Sequence, residues 1–72
     1  MLSRDDAIQL VTTLDDAGFT CTLFVDSRHR SYEVQVRLEG ADVERLAELR
    51  DLAGTVPDAV TTVDSQGYLL IH

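Results

Sequence analysis

The chain has no lysine and no tryptophan, and only one cysteine and one proline in 72 residues. A single cysteine excludes an internal disulfide scaffold. It also excludes the paired-cysteine spacings of structural zinc sites, and no His-x-x-x-His replaces them. No apolar run approaches the roughly 18 residues of a membrane-spanning helix. Met1 to Ala7 lacks the apolar stretch of a secretory leader. The four glycines, at 18, 40, 54 and 67, stand alone, so there is no glycine-rich loop to cradle a phosphate. Seventy-two residues fit one domain, 1–72, and no second. These absences lead to the expectation of a cytoplasmic domain without metal or cofactor.

What is present is acidic. Six arginines stand against thirteen acids, nine of them aspartate, for a net charge of −7. A GC-rich genome and a salt-loving cell both produce this bias. The charge is uneven: residues 28–37 hold Arg28, Arg30, Arg37 and Glu33, a net +2, while both flanks are acidic. Most of the surface would repel a phosphate backbone, so direct nucleic-acid binding is not expected.

Hydrophobic periodicity divides the chain into six elements. Ser3 suits a helix N-cap, with Asp6 at the capping-box position; Ala7, Leu10, Val11, Leu14 and Ala17 follow at helical spacing, and Gly18 ends the run. Phe19 to Val25 and Tyr32 to Leu38 alternate as strands, joined by a polar loop of about six residues. Asp42 is read as the cap of a second helix with Val43, Leu46, Ala47, Leu49 and Ala53 facing inward, ended by Gly54 and Pro57. Ala59 to Val63 and Tyr68 to Ile71 are two more strands around a turn at Asp64–Gly67.

The halves resemble each other. Asp6, Leu10, Asp15, Ala17 and Gly18 recur 36 residues on as Asp42, Leu46, Asp51, Ala53 and Gly54, and Val25-Asp26-Ser27 recurs as Val63-Asp64-Ser65. The repeat would span 3–38 and 42–72; equally, any αββ unit needs similar caps and turns. Two αββ units close as an α+β fold: a four-stranded antiparallel sheet, order 3-4-2-1, with both helices on one face. Geometrically this is a ferredoxin-like arrangement whose first strand has moved to the chain's end.

Tyr68, Leu69, Leu70 and Ile71 are apolar at every position, so this strand is greasy on both faces whichever register holds. Aligned by the repeat, Leu69 and Ile71 point away from the helices, joined by Val60 and Phe24. Such a face invites a cover, most simply a second copy in a homodimer. The other explanation is a central strand shielded by long neighbours such as Arg37.

Few residues suggest catalysis. His29 falls on a hairpin tip, His72 closes the sequence, and Cys21 lies on the core face of a strand, so no nucleophile and base are obviously paired. A non-enzymatic binding or regulatory module is expected. Arg28, His29 and Arg30 form a candidate contact for an anion or an acidic partner, against the plainer reading of a solvated turn. Asp15, Asp16 and Asp51 form a candidate acidic patch, which as an alternative would make the chain a decoy for a nucleic-acid-binding protein, such as a phage or mobile-element product. A small-molecule sensor is the third class.

Overall fold

A computed structural model describes residues 2–72, apart from the side chains of residues 41 and 42. Helix α1 spans Arg4–Asp16, and its cap is the one expected: Ser3 Oγ accepts the Asp6 N–H at 3.2 Å. Its far end is a Schellman turn. Gly18 adopts φ +93°, its N–H donates to the Asp15 carbonyl at 3.0 Å, and the Phe19 N–H donates to the Leu14 carbonyl at 3.0 Å. Phe19 and Leu14 are both buried, which gives the turn its apolar contact and sends the chain straight back as a strand.

Strand β1 covers Thr20–Asp26 and β2 covers Ser31–Arg37, paired antiparallel without a bulge from Thr20↔Arg37 to Asp26↔Ser31. Four residues close this hairpin rather than about six, because the ladder runs one residue further at each side. Asp26 shapes the turn by accepting the Arg28 N–H at 3.0 Å. Leu38, expected as the last residue of the second strand, lies just past β2 but stays partly buried against the core.

The second helix departs from expectation. A short 3-10 turn, Gly40–Val43, precedes α2, which spans only Leu46–Ala53. Val43 is therefore exposed, and Ala47 also faces outward; Leu49 and Ala53 are buried as expected. The expected cap at Asp42 lies outside the described side chains. The helix instead begins at Arg45, which offers no side-chain acceptor to its first turn.

Strands β3 (Thr61–Val63) and β4 (Tyr68–Ile71) complete the sheet in the order β1-β2-β4-β3, the expected 3-4-2-1 read from the other side. Val60 lies just before β3 and still exchanges both backbone hydrogen bonds with His72, at 2.9 and 3.0 Å. Leu2 pairs with Tyr32 and so extends the ladder beside β2. Asp64 accepts the N–H groups of Gln66 at 2.8 Å and Tyr68 at 3.0 Å, the same turn-forming task that Asp26 performs in the first hairpin.

The direction of β4 is the main correction. Val34 pairs with Ile71 and Val36 with Leu69, and all four are 0% exposed beneath the helices. Paired residues share a face, so Leu69 and Ile71 belong to the core together with Leu10, Leu14 and Leu49. They are not available for self-association. The repeat alignment shifted the strand by one residue, which moves every side chain to the opposite face. Leu69→Ala should cost about 2–5 kcal/mol in urea unfolding, whereas Leu70→Ala, on the other face, should cost about 1 kcal/mol or less.

Candidate interaction surface

The register assigns the face away from the helices. It carries Thr22 and Phe24 from β1, Glu33, Gln35 and Arg37 from β2, Tyr68 and Leu70 from β4, and Thr62 from β3. Phe24 is 43% exposed and Val60 52% exposed, so two of the expected contact residues are surface residues. They sit near opposite margins of the sheet, with half-buried Leu70 on the strand between. Leu70 and Tyr68 take the places expected for Leu69 and Ile71. The pairing parity with Val34 and Val36 was the signal for this; the repeat alignment obscured it.

The Arg28-His29-Arg30 tip projects fully into solvent. Arg30 holds φ +51°, a left-handed conformation uncommon for a residue with a side chain. His29 Nδ1 lies 2.8 Å from Asp26 Oδ2, and this hydrogen bond, helped by the Arg28 and His29 N–H groups, holds the Asp26 carboxyl below the usual range. Among the described residues, neither Arg28 nor Arg30 has an ion-pair partner.

Asp15 and Asp16 are exposed on the last turn of α1, and Asp51 is exposed on α2. Arg45, at the start of α2, donates through Nη2 to the Ala17 carbonyl at 2.8 Å, so the end of α1 meets the beginning of α2. Asp51 lies six residues further on, about 9 Å along the helix axis. Asp15 and Asp16 are adjacent, while Asp51 stands on the other helix.

Arg45 is a residue that periodicity could not single out. Its guanidinium lies 4.3 Å from the centre of the Phe19 ring and also bonds both oxygens of Glu48, at 2.9 and 3.0 Å. These bonds hold the Glu48 carboxyl below its ordinary value. One side chain thus satisfies a helix-end carbonyl, stacks on a core aromatic and joins the two helices.

Cys21 faces the helices and is half-buried, with Sγ 3.9 Å from the Phe19 carbonyl oxygen. Burial pushes its thiol up to about 11, and the charge of Asp15 adds to the rise. A protonated thiol is a poor nucleophile. A shallow cavity of about 290 Å³ is lined by Asp26, Ser31, Tyr32, Glu33 and His72. Its size is at the lower limit for small-molecule pockets, and two of its five lining residues are carboxylates. Among the described residues, no group of three or more His, Cys, Asp or Glu could hold a metal ion. Among the described residues, no helix is long and apolar enough to cross a membrane.

Comparison with models of known families, with curated proteins and with solved structures finds no match to this chain.

Arg45→Ala should lower stability by about 1–2 kcal/mol in thermal or urea unfolding, through the lost carbonyl bond and ring contact. Native Cys21 should react with iodoacetamide at neutral pH far more slowly than the urea-unfolded chain, as read by mass spectrometry. Asp26 titrates lower when folded, so its contribution is complete above the ordinary carboxylate pKa near 4 and is lost as pH falls through the depressed value. Asp26→Asn should accordingly flatten the acid limb of the stability curve below about pH 4.

Proposed function

We propose that this chain is a small, acidic, non-enzymatic interaction module that acts by protein contact through its four-stranded sheet, in the first place with a second copy of itself. The observation that carries the reading is the uncovered apolar surface of the sheet: Phe24 and Val60 exposed and Leu70 half-buried, with no second layer over them among the described residues. A domain of this length has little stability in reserve, so covering apolar side chains contributes usefully. The two charges that β2 places on that face, Glu33 and Arg37, are of opposite sign, which suits a chain whose net charge of −7 resists close approach elsewhere.

Two further features agree with a binding role. The half-buried Cys21, its thiol pushed up by burial, has no histidine among its hydrogen-bond partners and is not an activated nucleophile. The exposed Arg28 and Arg30 form a local basic contact suited to carboxylates on a protein partner. Neither the decoy nor the sensor reading gains comparable support, since Asp51 stands on a different helix from Asp15 and Asp16 and the cavity is small and lined by two carboxylates.

Sedimentation equilibrium over micromolar to millimolar concentrations tests the reading. A mass that rises towards twice the monomer value is expected. A chain that stays monomeric throughout would overturn the self-contact.

A further inference from the structure

Strand β1 forms one margin of the sheet, and its outer side has no strand beside it. The direction of its backbone groups follows from one bond. Tyr32 donates its N–H to the Leu2 carbonyl at 3.3 Å, away from β1. Antiparallel ladders alternate residue by residue, so Ser31, Glu33, Gln35 and Arg37 bond β1. Their partners Thr20, Thr22, Phe24 and Asp26 turn inward to β2. Cys21, Leu23 and Val25 are left presenting N–H and C=O at the open margin.

Sheet margins are ordinarily guarded by shortness, bulges, proline or charge. The opposite margin, β3, is three residues long. Strand β1 has no such guard. It pairs over seven residues without a bulge, and holds no proline, no glycine and no charge before Asp26. Leu23, Phe24 and Val25 are consecutive exposed apolar residues, with Val25 at 61%.

We propose that two copies of this chain join through β1, antiparallel about a twofold axis at Leu23, to form one continuous eight-stranded sheet. The proposal rests on the self-association reading above, and seats that contact on the β1 margin rather than on the open face that holds Val60 and Leu70. In this register Leu23 meets the partner's Leu23, Cys21 meets the partner's Val25, and Phe24 lies beside the partner's Thr22. The outward N–H and C=O groups of each chain satisfy one another, adding about six backbone hydrogen bonds. The exposed Leu23 and Val25 gain cross-strand apolar neighbours.

Charge selects a second copy as the occupant. From Phe19 to Val25 the chain carries no charge, so this is where two molecules of net −7 approach at least cost. Antiparallel pairing of the two β1 strands brings the Arg28–Arg30 turn, at the end of one β1, to the same end of the joint as the start of the partner's β1, which follows directly on the C-terminus of α1. The basic tip, Arg28 and Arg30, is thereby set at the same end as Asp15, Asp16 and the negative carbonyl end of the partner's α1. Among the described residues none of these four side chains has an ion pair within its own chain. The influence of Asp15 on Cys21 places that carboxylate close to the start of β1. Symmetry makes this juxtaposition twice. A parallel pairing would instead set Asp26 beside Asp26 and tip beside tip.

The test combines sedimentation equilibrium with amide hydrogen exchange on the full chain. The unmodified chain should dimerise. Leu23→Pro removes an outward N–H without touching the ladder to β2, and Val25→Lys places a charge on an already exposed margin; each should weaken dimerisation at least tenfold. Leu70→Gln, on the open face, should leave it within about twofold. Arg28→Glu with Arg30→Glu should weaken association, and adding Asp15→Arg with Asp16→Arg should restore it. In the unmodified chain the Cys21, Leu23 and Val25 amides should be protected at high concentration and exchange freely on dilution, while Thr22 and Phe24 stay protected throughout. This amide pattern keeps the test valid should a variant fail to fold. A dimer broken by Leu70→Gln but not by the margin variants, or one without concentration-dependent protection at Cys21, Leu23 and Val25, overturns the geometry and leaves the broader reading standing. A monomer at millimolar concentration overturns both.

Discussion

The pairing of β4 between β2 and β3 is the constraint on which the structure depends. Ile71 opposite Val34 and Leu69 opposite Val36 set four aliphatic side chains in one patch beneath the helices. A slip of one residue would expose Leu69 and Ile71 and bury Leu70 and Tyr68 in their place. It would also break the pairing of Thr61 with Ile71 and Val63 with Leu69 on the other side. A strand flanked on both sides cannot adjust to one neighbour without losing the other, which is why the register of so short an element is well determined.

Above this sheet, the helices are joined by chemistry of another kind. The Schellman turn of α1 buries Phe19 but leaves the Ala17 carbonyl pointing outward, and Arg45 reaches it from the start of α2. The same guanidinium covers the ring of Phe19. The second helix therefore starts with a cation whose partners lie on the first helix and on its own next turn. Its position is set from outside, which offsets the missing side-chain cap at its first turn.

Much of this architecture was legible in the sequence. Ser3 and Gly18 delimit the first helix by well-understood backbone requirements, and the alternation from Tyr32 to Val36 leaves little choice of face. An aspartate at the start of both hairpin turns, Asp26 and Asp64, marks turns that form by the same kind of hydrogen bond. What periodicity could not resolve were elements whose pattern is degenerate. Tyr68 to Ile71 are apolar without alternation, so their faces depend on pairing with distant residues. The second helix loses its first turn to a 3-10 segment, a difference of local geometry to which apolar spacing is blind. The contact surface was legible only in part. Phe24 and Val60 are exposed, but Leu69 and Ile71 are core, and the margin formed by Leu23 and Val25 emerges only once β1 is known to lie outermost.

The position of β4 also orders the events of folding. The first helix and the β1–β2 hairpin close through contacts between near neighbours in the chain, and such contacts cost little loop entropy. Joining Val34 to Ile71 requires closing a loop of nearly forty residues, about half the chain. Local contacts form early and distant ones limit the rate. The N-terminal half is thus built to assemble first as a template with its β2 side unsatisfied, and arrival of the last strand is the step that converts it into a cooperative whole.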